Sequence, residues 1–256
     1  MTDTMKRETR AFVRPPGNSY AKAQSQNPDN AKIDVALAKL QHVKYADALE
    51  LAGLEVIYLA KLEYFPDSVF VEDTAVFLND RIIICYFKSQ ARRGETECIQ
   101  PVLVNYRPLE VFGPPVTIDG GDVLNTGKHL FVGQSTRTNQ YAIIALSPFT
   151  KQQIIPVPVE HCLHLKTSAT YLGENIIVLD PAKIDRSVFE DYEIIEVDKE
   201  ESYAANCLAI GENVLIADGY PKLAEQIRER GFKTIPVPMS EFAKAEGGLT
   251  CLSLIF

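Results

Sequence analysis

The amino-acid sequence predicts an α/β protein made of one repeated unit, a strand hairpin plus a helix, set out as an array or propeller. Three observations predict it. An apolar run, a polar turn and a second apolar run recur as TAVFLNDRIIIC (74–85), DVLNTGKHLFVG (122–133), SATYLGENIIVL (168–179) and NCLAIGENVLIA (206–217); TCLSLIF (250–256) opens a fifth. The turns LNDR, LNTG, LGEN and IGEN fall in phase at Asn79, Thr126, Gly173 and Gly211, with the roughly 40–50-residue spacing of repeat architectures. Stretches of helical character lie between the hairpins, at 31–52, 137–146, 183–190 and 221–230.

Taken in order, residues 14–30 (RPPGNSYAKAQSQNPDN) are rich in Pro, Gly, Asn, Ser and Gln and read as a long loop. Inside a compact domain such a loop is a lid, a binding loop or disordered. The helix that follows takes Asp29 or Asn30 as its cap, Ile33, Leu37 and Leu40 as its apolar stripe and Gly53 as its stop. The short Val- and Ile-rich runs bounded by turn residues are strands. The helix at 221–230 has Pro221 in its first turn, Leu223 and Ile227 four apart, and Gly231 at its end.

A chain of 256 residues is long enough for one large core or two small ones, and five similar units favour a single domain spanning 1–256. With 46% apolar and 23% charged residues, disordered and fibrous classes are excluded. The longest apolar runs, such as Ile82 to Phe87, fall far short of a membrane span, so no membrane association is expected. The start, MTDTMKRETR, has no apolar core or cleavage site, which predicts no secretory signal. Five cysteines without a CxxC pair argue against a disulfide framework and a zinc ribbon, and point to the cytoplasm. The net charge of −8 disfavours nucleic acid and suits a cationic ligand. A monomer or a homodimer fits equally.

At the entrance of each repeat sits a residue of chemical interest: Glu72 and Asp73 after Asp67, then Asp119, His164, Asn206 and Cys251. In a closed ring equivalent positions converge on the axis. Two groups of carboxylates, a histidine and a cysteine are therefore expected to meet. Cysteine and histidine make a nucleophile and a proton shuttle, oriented by an acid. Further carboxylates hinder a thiol, because negative charge raises its pKa. They make sense if the substrate is itself a cation such as a guanidinium, gripped by its N–H groups. The implied reaction is attack of Cys251 on the guanidinium carbon, loss of an amine protonated by His164, and hydrolysis of the thiouronium.

The segments SVFVEDTAVF, TIDGGDVL, FVGQSTRTNQ, LHLKTS and GGLTCLS, in this order and spacing, resemble the dimethylarginine dimethylaminohydrolase family of the guanidino-group-modifying (pentein) superfamily. The resemblance runs over residues 11–256. It implies a five-bladed pseudosymmetric αβ-propeller, with Cys251 as nucleophile, His164 as general acid/base and Asp119 as the orienting acid. Asp73 would hold the guanidinium, helped by Glu72 and Asp67. Arg92 and Arg137 would take the substrate's α-carboxylate, and the Ala245 carbonyl its amino group. Residues 14–30 would be the lid. The lid lacks the family's usual leucine, with Tyr20 the candidate in its place, and Pro101 should interrupt the helix after Arg92 and Arg93.

The resemblance implies hydrolysis of Nω-methylated arginine to citrulline and an alkylamine. Its alternatives are an arginine deiminase or dihydrolase on the same scaffold, or a non-catalytic propeller that binds a partner. The ligand is a small guanidino molecule, and neither a cofactor nor a required metal is expected. His161, Cys162 and His164 match no common structural zinc spacing. Cys85, Cys98 and Cys207 read as core residues. Asp122 reads as a support for the site. Gly120 and Gly121 lack the spacing of a phosphate loop and are expected to let backbone approach closely at the centre.

Overall fold

Each recurring segment folds as an antiparallel hairpin whose second strand takes a third, parallel partner. The computed structural model describes residues 10–256; the expectation of no secretory signal rests on residues 1–10, of which 1–9 lie outside the described residues. In chain order the elements are β1 (Arg10–Val13), α1 (Val35–Leu51), β2 (Glu55–Tyr58), β3 (Ala75–Leu78), β4 (Arg81–Ile84), α2 (Arg93–Leu103) and β5 (Leu109–Val111). There follow β6 (Val123–Asn125), β7 (His129–Gln134), α3 (Tyr141–Leu146), β8 (Gln153–Pro158), β9 (Ala169–Gly173), β10 (Ile176–Leu179) and β11 (Glu193–Glu196). The chain ends with β12 (Leu208–Ile210), β13 (Asn213–Ala217), α4 (Pro221–Glu229), β14 (Lys233–Val237), α5 (Ser240–Ala243) and β15 (Ser253–Ile255).

They form five three-stranded sheets: β3-β4-β5, β6-β7-β8, β9-β10-β11, β12-β13-β14 and β15-β1-β2. The last sheet joins the two ends of the chain, with Ala11, Phe12 and Val13 paired antiparallel to Ile255, Leu254 and Ser253. The fifth unit that the sequence opens at Thr250 is thus completed by the N-terminal strand.

The middle strand of every sheet is buried on both faces, and alternate residues serve different cores. On β10, Ile177 and Leu179 pack with β6 and β7, whereas Ile176 and Val178 pack with β13. On β13, Val214 and Ile216 join that core, and Leu215 and Ala217 join β1. On β1, Phe12 turns to Ile82 and Ile84 of β4, and Ile83 turns to Leu130 and Val132 of β7. Five cores thus link five sheets and close the ring, as the repeat and the resemblance predict.

Directly before each hairpin the chain makes a 3₁₀ turn: Val71–Thr74, Gly120–Asp122, Leu165–Thr167, Lys199–Ala205 and Thr250–Leu252. The chemically interesting residues sit in these turns or beside them, so one local motif, repeated, brings them to the centre.

Several expectations are corrected. The first helix begins at Val35, where the Asp34 carboxylate accepts from the Ala36 and Leu37 N–H groups; Asp29 and Asn30 belong to a separate 3₁₀ turn capped by Asn27. Its buried side is Ala38, Tyr45 and Leu49, while Leu40 is 63% exposed. Of 137–146 only Tyr141–Leu146 is α-helical, and 183–190 holds a short 3₁₀ turn. Pro101 lies inside α2, which runs on to Leu103. Cys98 is exposed on that helix rather than in the core.

Candidate active site

A narrow cavity of about 20 Å³ opens over these central turns. Asp67, Asp73, Arg92, Arg137, His164, Ala245 and Cys251 line it. The 3₁₀ turn that follows His164 presents the imidazole, whose Nε2 donates to Asp119 Oδ2 at 3.0 Å. Nδ1 lies 3.8 Å from Asp73 Oδ1. Asp119 is therefore behind the histidine, where an orienting acid belongs. Burial opposes charging this imidazole. Asp73, the Asp119 hydrogen bond and Asp122 outweigh it and bring the pKa to about 9.

Cys251 occupies the last 3₁₀ turn, and its Sγ accepts from the Gly248 N–H at 3.4 Å. Burial, then Glu72 and Asp73, push the thiol up to about 12, against Gly248 and Lys166. Cys251 is thus held as a thiol, and it shares the cavity with His164.

Glu72 stands outside the cavity lining and supports that turn from behind. Its Oε1 accepts from Lys166 Nζ at 2.6 Å and its Oε2 from Thr250 Oγ1 at 2.8 Å. Asn206, the polar residue of the fourth repeat, accepts from the Thr250 N–H and donates to the Lys166 carbonyl. Burial raises the Glu72 carboxyl despite Lys166.

Asp73 accepts from Arg92 Nη1 at 2.8 Å and from the Gly121 N–H at 3.2 Å. Burial opposes its ionisation, but His164 and Arg92 hold its pKa below the ordinary value. Arg92 also forks onto Glu95 and donates to the Phe70 carbonyl. Of its five N–H donors only one on Nη1 is left over, so the main partners of Arg92 are carboxylates of the chain itself. Among the described residues the Arg137 guanidinium takes no hydrogen-bond partner, and no hydrogen bond ends on the Ala245 carbonyl.

The central glycines are there for space. A Cβ on Gly120 would lie 2.1 Å from the Glu72 carbonyl, and one on Gly121 would lie 2.8 Å from both Asp73 Oδ1 and His164 Nδ1. Asp122 supports the same turn, accepting from Ser135 and from the Leu165 N–H. Asp73, Asp119 and His164 present ligand atoms within 4.8 Å of one another, the geometry that could hold a cation. Arg92 already supplies positive charge to Asp73 there. His161 and Cys162 are not part of that cluster.

Segment 14–30 reaches the cavity at a single residue. Tyr20 does not face it: the ring is fully buried, edge-on to Phe70, and its hydroxyl donates to the Glu241 carbonyl. Gln24 is the segment's residue at the cavity, with its N–H on Asp67 Oδ1 at 2.9 Å. Burial raises the Asp67 carboxyl, against Arg92 and this N–H. Sequence reasoning missed Gln24, Phe70, Leu163, Glu246 and Gly247 in the lining. The only local signal was the glycine pair after Glu246.

Comparison with known proteins agrees with this geometry. The arginine deiminase family matches residues 58–202. Over 230 residues the chain is 36% identical to N(G),N(G)-dimethylarginine dimethylaminohydrolase of Pseudomonas aeruginosa, covering 88% of this chain and 91% of that protein. The chain belongs to the dimethylarginine dimethylaminohydrolase family. A second family member, from Streptomyces coelicolor, is 32% identical over 251 residues, with 96% of each chain covered. The solved structure of the Pseudomonas aeruginosa enzyme, a cysteine-to-serine mutant complexed with citrulline, superposes with a TM-score of 0.93. That match has 34% identity and covers 98% of this chain and 100% of the other. The family assignment and the five-sheet ring therefore agree.

Proposed function

We propose that this chain hydrolyses Nω-methylated arginine, dimethylated or monomethylated, to citrulline and the corresponding methylamine through a covalent adduct on Cys251. One observation carries the reading: a thiol held up to about 12 by burial and by Glu72 and Asp73 shares a cavity with an imidazolium. Such a thiol ionises readily only when a cation arrives beside it. A guanidinium held by Asp73 offsets the carboxylates, and the thiol proton passes to solvent as it binds.

The thiolate then adds to the central guanidinium carbon, giving a neutral tetrahedral adduct. His164 delivers its proton to the leaving nitrogen, the C–N bond breaks, and a thiouronium on Cys251 remains. Neutral His164, oriented by Asp119, takes a proton from water as its oxygen adds to the same carbon. The C–S bond breaks, the hydroxyl proton of the adduct passes to the departing sulfur, the ureido product leaves, and thiol and imidazolium are restored. The cavity contains apolar surface: Phe70 and Leu163, the residue before His164, line it. That surface suits an alkylated nitrogen, in keeping with the names of the relatives at 36% and 32% identity.

Arg137, with its unengaged guanidinium, takes the substrate carboxylate, aided by the remaining Arg92 N–H, and the Ala245 carbonyl takes the ammonium. Asp67 and, from behind, Glu72 complete the acidic surround. The chain works as one catalytic domain. We place it in the cytoplasm, where five unpaired cysteines persist; among the described residues no helix is long and apolar enough to cross a membrane.

The test is to incubate the purified protein separately with asymmetric dimethylarginine, monomethylarginine and arginine, and to measure citrulline and released amine. Citrulline with dimethylamine or methylamine is expected, and Cys251→Ser should abolish it without loss of fold. Ammonia from arginine, with no turnover of either methylated substrate, overturns the assignment.

A further inference from the structure

Three consecutive residues of segment 14–30 are fixed between two carboxylates that both line the cavity. The Gln24 N–H donates to Asp67 Oδ1 at 2.9 Å. The Ser25 hydroxyl and the Gln26 N–H donate to one atom, Glu246 Oε2, at 2.6 and 2.8 Å. Asp67 comes from the loop before the first central turn and Glu246 from the loop before Cys251, so the strap is clasped from two separate parts of the ring.

Glu246 is also unusual in its backbone. Its φ is +59°, a left-handed conformation that a side chain other than glycine or asparagine adopts at a cost of about 1 kcal/mol or more. The surrounding loop over-determines it. The Ala245 and Gly247 N–H groups both donate to the Phe242 carbonyl, and the Glu246 N–H donates to Ala243. The Gly247 carbonyl accepts from the Tyr203 hydroxyl at 2.8 Å. A Cβ at Gly247 would lie 2.2 Å from the Phe70 ring, which in turn packs on Tyr20 of the strap. One residue further on, the Gly248 N–H donates to Cys251 Sγ. The free Ala245 carbonyl, the strap's anchor and the donor to the nucleophile therefore belong to one four-residue segment.

We infer that Glu246 is a positioning residue: its carboxylate latches residues 25 and 26 across the cavity and so couples closure over the substrate to the segment that holds Cys251. The inference rests on the reading of the cavity as the substrate site. It predicts that the latch needs an acceptor oxygen, not a charge, since both partners are neutral donors. Glu246→Gln keeps such an oxygen; Glu246→Ala removes it.

The experiment separates the latch from the chemistry. Each protein is exposed to iodoacetamide without substrate, and modification of Cys251 is followed by peptide mass spectrometry, with exposed Cys98 as the internal reference. Cys251 should react about tenfold faster in Glu246→Ala than in the parent, because two hydrogen bonds to a carboxylate are lost. Glu246→Gln should stay near the parent, and Ser25→Ala should fall between. With dimethylarginine, Glu246→Ala should raise KM more than it lowers kcat, and Glu246→Gln should restore it. Equal Cys251 reactivity in the parent and Glu246→Ala overturns the latch. So does a Gln variant as defective as the Ala one, which would assign the charge to the substrate's ammonium instead. The alkylation arm needs no turnover, so it stands or falls independently of the substrate assignment.

Discussion

His164 Nε2 and Asp119 Oδ2 lie 3.0 Å apart, between side chains that are 5% and 1% exposed. With Asp73 on the other ring nitrogen, this makes the imidazole an acid at neutral pH rather than a base. An imidazole whose pKa is raised on folding stabilises the fold at pH values below its unfolded value near 6.5. That contribution disappears as pH rises through about 9.

Replacing His164 with glutamine should therefore cost most stability near pH 6 and almost none near pH 10. Thermal melts of the two proteins across that range measure the gap in Tm; a constant gap would mean the buried imidazole is neutral throughout. The same variant should lose kcat by about 10²–10⁴-fold, the usual worth of a positioned general acid.

Gly121 sets the distance between Asp73, proposed to grip the substrate, and His164, proposed to protonate the leaving group. Gly121→Ala introduces a Cβ 2.8 Å from an atom of each. Displacements approaching 1 Å at reacting groups cost about 10²-fold in rate. We expect kcat to fall by that order. Gly113→Ala, where a Cβ meets nothing within 4 Å, should leave kcat unchanged. If the two variants have equal kcat, the close approach at Gly121 has no catalytic meaning.

The hairpins, and with them the site, could be read in advance because both are local. Each entrance residue lies within a few positions of a strand that announces itself by composition, and the common phase of the turns places His164, Asp119 and Cys251 together. What was not legible is held by distant or mixed signals. Strand β1 is four residues long and finds its antiparallel partner at the other end of the chain, so no hairpin pattern surrounds it. The third strands are half-exposed, and two of them carry prolines, at 156, 158 and 236, which suits sheet edges but reads as interruption. Gln24 and Glu246 are polar residues in loops and have no period to betray them. The apolar stripe of α1 misled because that helix buries alanines, a tyrosine and one leucine, and leaves several larger aliphatics outside.

That reversal makes a quantitative prediction about stability. Leu40 is 63% exposed, so Leu40→Gln removes little buried surface and should change the unfolding free energy by less than about 0.5 kcal/mol. Tyr45, on the opposite side, is fully buried; its hydroxyl donates to the Leu249 carbonyl at 2.9 Å and lies 2.7 Å from Ser253 Oγ. It ties the first helix to both sides of the Cys251 turn. Tyr45→Phe leaves both partners buried and under-satisfied, which costs about 1–2 kcal/mol. Urea unfolding of the two variants, compared at equal m-value, measures the difference. A loss at Leu40 as large as at Tyr45 would show that the outer face of the helix is covered after all.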